Sequence, residues 1–247
     1  RCLAPTGVDG GRLVTSPQAV DTLVASPRRA WRIWAITFGV ALGVAVVAGV
    51  IASSGTVAEW EASIFHAIND LPDWLYRPMW VFQLAGLLLV PLVVAIGAAI
   101  FRRWRLVAAL IVFVPLKLFV EKAVVKQLVE RERPGTTICG APDDFDPSCG
   151  NFRGDVPLEG LSFVSGHAII AWGVAVLLWP VLPGRWKFVP VMIAVLNAIA
   201  RVYLGAHNPL DVGGGGAIGI AIGAVLVVVF GLDPRQRRSA TSSTTAG

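Results

Sequence analysis

Six apolar runs punctuate the chain, at residues 31–53, 78–101, 104–125, 162–182, 186–205 and 209–231. Each approaches the about 20 residues that a helix needs to cross ~30 Å of hydrocarbon. The polar positions between them follow a rule of their own. Arg28, Arg29 and Arg32, then Arg102, Arg103 and Arg105, then Arg185 and Lys187, then Arg235, Arg237 and Arg238 make every second connection basic. Lys and Arg are retained on the cytoplasmic side of short loops, so the alternation predicts six spans with both termini inside. Tryptophan, which prefers the headgroup level, falls at inner ends (Trp31, Trp34, Trp104, Trp179, Trp186) and near outer ones (Trp60, Trp74, Trp80). The predicted fold class is all-α: a six-transmembrane-helix bundle over 28–232, with a flexible cytoplasmic lead-in at 1–27 and a cytoplasmic tail at 233–247.

Two outer segments are long enough to carry structure. In the first, 54–77, the sequence Thr56-Val57-Ala58-Glu59 has the capping-box pattern, and Val57, Trp60, Ile64, Phe65, Ile68 and Leu71 recur at helical spacing. An amphipathic helix lying on the extracytoplasmic surface is predicted, with His66 as a surface or packing residue. The second, about 126–161, is a long outer loop. Cys139 and Cys149 both lie in it, on the oxidising side of the membrane, where a disulfide would add about 2–3 kcal/mol by restricting the unfolded chain; two free thiols are the alternative. The run Asp143-Asp144-Phe145-Asp146 reads as solvated loop.

Composition removes whole classes of function. Of 247 residues, 55% are hydrophobic and only 15% charged, against about 25% charged in a soluble domain. The net charge of +5 does not indicate nucleic acid, because that inference needs cations gathered on one soluble face. In the predicted topology thirteen of the 21 Lys and Arg fall inside against Asp9, Asp21 and Asp233, leaving eight cations with thirteen acids elsewhere. The outer side is net acidic, so cations found there are exceptions.

Lys126, Arg133 and Arg201 are such exceptions, and they belong to three clusters of polar residues at the outer ends of spans, where charge is costly and marks function. The clusters are Lys126 to Arg133-Pro134; Ser165-Gly166-His167, where the fourth span begins; and Arg201 to His207 and Asp211, from the fifth span into the sixth. Arg133 and Arg201 offer planar donor forks and Lys126 a mobile point charge, both suited to phosphate oxygens. Ser165 and Gly166 open an apolar helix whose free amides form an anion site. Asp211 follows His207 by four residues with Pro209 between, so its carboxylate should lie in the first helical turn and accept a proton from one ring nitrogen, leaving the other as a nucleophile. His167 is placed to protonate a leaving oxygen. Structural duties compete: Asp211 would complement its helix dipole, and Lys126 and Arg133 would pair with Glu130 and Glu132. The joint placement outweighs them, because His167 and His207 are two of only three histidines and share one membrane level with the cations.

The order Lys-x6-Arg-Pro, Ser-Gly-His, Arg-x5-His-x3-Asp resembles the signature of the type 2 phosphatidic acid phosphatase family, whose site is shared with vanadium-dependent haloperoxidases; its membrane branch also has six spans. The resemblance implies that Lys126, Arg133, Ser165, Gly166 and Arg201 bind phosphate, that His207 forms a phosphohistidine oriented by Asp211, and that His167 is the general acid, with no metal and no cofactor. Two positions depart from the pattern: Val164 stands for the usual Pro and Ala200 for the usual Ser. The implied protein is a lipid phosphatase of the plasma (inner) membrane with its site on the extracytoplasmic face. Its expected partners are the bilayer and a lipid phosphate: a polyprenyl diphosphate of cell-wall recycling first, then phosphatidic acid, phosphatidylglycerol phosphate or a prenyl-linked sugar phosphate. Lys117 and Glu121, four apart on one helix face, either pair with each other or line a headgroup pocket. Gly213 to Gly216 are expected to permit close helix packing. The competing readings are a lipid phosphotransferase and a non-enzymatic transporter or binder of anionic headgroups.

Overall fold

The computed structural model describes residues 27–140, 146 and 148–235; the lead-in, most of the tail and residues 143–145 of the acidic run lie outside the described residues. Helices occupy each of the six apolar runs. They are α1 (Pro27–Ala52), α2 (Glu59–Asn69), α3 (Tyr76–Gln83), α4 (Val90–Ile100), α5 (Trp104–Leu118), the short α6 (Lys126–Leu128) and α7 (Pro134–Thr137), α8 (Gly166–Leu178), α9 (Phe188–Tyr203) and α10 (Pro209–Val229). Among the described residues the only β pairing is an isolated bridge between Glu132 and Leu161.

Three stretches are long and apolar enough to cross a membrane, Trp31–Ala52, Gly184–Tyr203 and Pro209–Val229, and a fourth is reached if Asp73–Gly86 and Val90–Ile100, bent by 70°, count as one broken span. The other runs are interrupted for visible reasons. The third contains Lys117, Glu121 and Lys122, and its helix passes at Phe119 into a π-helical segment, Phe119–Val125. The fourth becomes helical only at Gly166 and ends at Leu178, because the residues before it are used as loop.

The core is built from small residues at helix contacts, as helices in lipid require. On α1, Trp34, Ala41 and Ala48, spaced by seven, are buried, while Val40, Val44, Val47 and Val50 are exposed. This outward apolar face is what a bilayer covers. Trp34 also donates its ring N–H to Asp233 at 3.1 Å, tying the two ends of the bundle chain together. On α10, Gly215, Gly219 and Gly223 form a stripe against α8. An added Cβ would fall 2.6 Å from the Ser165 carbonyl oxygen at Gly215, 3.0 Å from Gly173 N at Gly219 and 2.8 Å from Val176 Cβ at Gly223.

The helix predicted within 54–77 forms, with a different start and a different buried face. It begins at Glu59 after Ala58, and no side chain caps it, so the Thr56 and Glu59 capping box is not made; Thr56 Oγ1 lies 3.2 Å from Ser54 Oγ instead. The buried positions are Glu61, Phe65 and Asn69, and Trp60 and Ile64 are exposed. Asn69 explains its own burial: its side chain donates to Asn151 O at 2.8 Å and Tyr203 O at 3.0 Å. Arg153 adds bonds to Asn69 O at 2.7 Å and Tyr203 O at 2.8 Å. The long loop is thereby pinned to α2 and α9, and Cys139 and Cys149 are joined in a disulfide with Cα atoms 5.3 Å apart.

Candidate active site

The glycine stripe of α10 continues upward by one turn to Asp211, and this registers the N-termini of α8 and α10 against each other. Ser165 donates its amide to the Asp211 carbonyl at 3.0 Å, while its hydroxyl caps α8 by accepting from Ala168 N at 3.5 Å. Asn208 is the extended residue before α10, with Pro209 in its first turn, as a residue with fixed φ and no N–H favours. The Asp211 carboxylate reaches back to accept the Asn208 amide at 2.8 Å. The three sequence clusters therefore meet at one end of the bundle.

His207 stands on the short link between α9 and α10 and is almost fully buried. Its Nδ1 is 3.7 Å from Asp211 Oδ2, longer than a hydrogen bond. The direct contact expected from the four-residue spacing is replaced by Ser162, whose Oγ lies 3.1 Å from His207 Nδ1 and hydrogen-bonds Asp211 Oδ2. The cause is the capping role of Asp211, which turns the carboxylate toward the Asn208 amide. Burial first, then the positive charges of Arg201, Arg133 and Lys126, hold the His207 imidazole well below the ordinary histidine range. The ring is thus neutral at physiological pH, the form in which a ring nitrogen has a free lone pair.

The cations surround this histidine. Arg133 donates to the carbonyl of Ala206 at 2.8 Å, one residue before it. Arg201 donates Nη1 to Gln83 Oε1 at 2.6 Å, and its buried Nε has no partner among the described residues. Lys126 Nζ lies 3.6 Å from Glu121 Oε1, so its acidic neighbour is neither Glu130 nor Glu132. Lys117 and Glu121 do pair, both nearly buried. They do so directly beneath the mouth of α8: an added Cβ at Gly166 would fall 2.7 Å from Glu121 Oε1 and 2.9 Å from Lys117 Nζ. His167 packs against Gly86, where an added Cβ would be 2.7 Å from its Cα, and lies within electrostatic reach of Arg201, His207, Lys117 and Arg133. The site brings together two imidazoles, several cations, and an orphaned guanidinium donor that an anionic oxygen would satisfy.

Four participants carried too weak a sequence signal to be singled out. Ser162 sits three residues before Ser165, outside the motif itself. Arg131 precedes Arg133 by two; it is fully buried and places Nη1 and Nη2 on Glu61 at 3.0 and 2.6 Å, with Nη1 also 3.5 Å from Asp211 Oδ1. Glu61 in turn accepts the Leu210 amide at 2.9 Å, capping α10 from outside. Gln83 holds Arg201. Glu61, in the first turn of α2, offered the best available hint, because its neighbours at i+4 and i+8, Phe65 and Asn69, are also inward.

The PAP2 superfamily model matches residues 104–234, which include every residue of the three motifs. The chain belongs to the PAP2 superfamily. Among PAP2 relatives, phosphatidylglycerophosphatase B of Bacillus subtilis is 33% identical over 209 residues, covering 78% of this chain and 92% of its own. Decaprenylphosphoryl-5-phosphoribose phosphatase of Mycobacterium tuberculosis is 33% identical over 155 residues, covering 62% of this chain and 76% of its own. The crystal structure of Aquifex aeolicus LpxE superposes with a TM-score of 0.58 at 25% identity, over 67% of this chain and 93% of that one. A PAP2-type phosphatidylglycerolphosphate phosphatase from Bacillus subtilis shares the fold, with a TM-score of 0.56 at 23% identity over 76% of this chain and 94% of that one. The protein is a multi-pass membrane member of this lipid phosphatase family.

Proposed function

We propose that the protein hydrolyses a phosphate monoester carried by a membrane lipid, with His207 as nucleophile, His167 as general acid, and Lys126, Arg133, Arg201 and the amides at Ser165 and Gly166 holding the phosphoryl oxygens. The observation that carries this reading is the convergence of both imidazoles with Arg201, whose buried Nε lacks a partner. His207 Nε2 attacks phosphorus, the bond to the lipid oxygen breaks, and that oxygen takes the proton of His167. His167 then draws a proton from water, which cleaves the N–P bond and releases inorganic phosphate. In this scheme no metal is required, since the cations neutralise the phosphoryl charge.

The bundle is read as six spans with both termini cytoplasmic, including the two broken or short runs. The site then lies at the extracytoplasmic headgroup level, and α2 rests on that surface with Trp60 and Ile64 toward lipid. We rank phosphatidylglycerol phosphate and a prenyl-linked sugar phosphate first among substrates, a ranking supported by the names of the two relatives, with polyprenyl diphosphate and phosphatidic acid next. The purified protein, in detergent and with EDTA, is to be offered these four lipids and the released phosphate measured. Release from at least one, abolished in His207→Ala, is expected. Release that requires added divalent metal would overturn the metal-free scheme, and headgroup-dependent binding with no release would favour a transporter or binder.

A further inference from the structure

A carboxylate aimed at a histidine is ordinarily read as its direct partner, but here a hydroxyl stands between them. Asp211 Oδ2 already accepts the Asn208 amide at 2.8 Å and lies 3.7 Å from His207 Nδ1. Ser162 Oγ is in hydrogen-bond contact with both, at 3.1 Å from the imidazole nitrogen. An ionised carboxylate only accepts, so the hydroxyl proton goes to Asp211 and the hydroxyl oxygen is left to accept from Nδ1–H. That arrangement fixes the ring tautomer and leaves Nε2 unprotonated.

The hydroxyl is built into position. Ser162 is fully buried, and its amide donates to the Arg131 carbonyl at 2.7 Å. The guanidinium of the same Arg131 lies 3.5 Å from Asp211 Oδ1 and is bonded to Glu61. One residue thus holds the backbone of the serine and the far oxygen of the carboxylate. Ser165, the serine inside the motif, caps α8, so the two serines have separate duties.

Resting on the reading of His207 as nucleophile, we propose that Ser162 is a positioning residue through which Asp211 acts on His207. As Nε2 forms its bond to phosphorus, the ring becomes positive. Nδ1 keeps its proton and Ser162 keeps its own, and the hydrogen bonds shorten toward Asp211 so that its charge stabilises the ring through the hydroxyl. Asp211→Asn and Ser162→Ala then interrupt one connection at two points.

The test is a double-mutant cycle on the full chain in detergent, using a lipid phosphate that the wild type hydrolyses. Ser162→Ala is expected to lower kcat about 10- to 100-fold, the range found when the hydrogen-bond partner behind a metal-bound histidine is removed, with KM within about twofold. The double variant with Asp211→Asn should be about as slow as Asp211→Asn alone. Ser162→Cys, close in size but a weak donor, should show the same kcat loss if the alanine variant does not fold. In the wild type, histidine ring ¹⁵N spectra should show His207 protonated at Nδ1. Wild-type kcat in both Ser162 variants, losses that multiply in the double variant, or a ring protonated at Nε2 would each overturn the relay. If the wild type released phosphate from none of the lipids, the phosphatase reading would fall, and the tautomer measurement would still decide the relay.

Discussion

Arg131 grips Glu61 through two parallel bonds of 3.0 and 2.6 Å, both side chains being buried within 1% of complete exclusion. This fork joins α2 to the first turn of α10, because Glu61 also accepts the Leu210 amide. Removing one partner of such a pair strands the other charge, at a cost of about 3–5 kcal/mol. Arg131→Met and Glu61→Gln should each lower the unfolding midpoint strongly in detergent, and the double variant should lose much less than the two separate losses added. Losses that add in full would mean that the two side chains do not act as a pair.

Gly213 and Gly219 share one helix and predict opposite outcomes. Nothing lies within 4 Å of a Cβ added at Gly213, whereas one at Gly219 meets the α8 backbone, with Gly173 N at 3.0 Å. Gly213→Ala should raise stability by about 0.5–1 kcal/mol through reduced freedom of the unfolded chain. Gly219→Ala should lower it, because α8 and α10 must separate and carry Ser165 away from Asp211. Thermal unfolding of the two variants side by side decides the matter.

The disulfide joins Cys139 to Cys149 in the long loop that follows α6. Cys139→Ser or reduction should cost about 2–3 kcal/mol in the chain-entropy account. The corresponding fall in melting temperature should be the same in the serine variant and in reduced wild type, and should not deepen when the serine variant is reduced.

His207 also makes stability depend on pH in a definite direction. Burial and the nearby Arg201, Arg133 and Lys126 keep it neutral when folded, while in the unfolded chain it titrates near the ordinary value of about 6.5. Below that pH the unfolded state binds the extra proton, so the contribution is fully present above about 6.5 and is lost as pH falls toward the depressed folded value. The melting temperature of wild type minus that of His207→Asn should therefore decline from pH 7 to pH 5 and be flat from pH 7 to pH 8. Parallel curves throughout would contradict a neutral buried ring.

Much of this protein is legible in its sequence, and the residues show where legibility ends. The positions of the helices follow from apolar run length, and the gathering of Lys126, Arg133, His167, Arg201, His207 and Asp211 follows from cations and histidines recurring at the ends of those runs. The Gly213 to Gly216 cluster was readable as close packing, although Gly213 itself faces open space. What sequence spacing could not supply is which polar groups face each other across helices. Thr56 and Glu59 fit a cap that the chain does not use, because Ala58 occupies the cap position and Glu61 is drawn inward by Arg131. The spacing of His207 and Asp211 indicates neighbours, but the claim of the Asn208 amide on the carboxylate, and the entry of Ser162 between the two side chains, depend on the loop pairing at Arg131 and Ser162. Bends behave likewise: the 70° break after Gly86 divides a run that carries no charged residue.

The central claim, that His207 carries the phosphoryl group, is tested most directly by trapping it. Wild-type protein mixed with a lipid phosphate labelled in its terminal phosphorus, quenched in alkali within one turnover and digested, should yield a single labelled peptide containing His207, with the label stable to base and released by acid. The peptide should be absent from His207→Ala. Rapid turnover with no labelled protein at any quench time, or label on a peptide that lacks residue 207, would contradict the account.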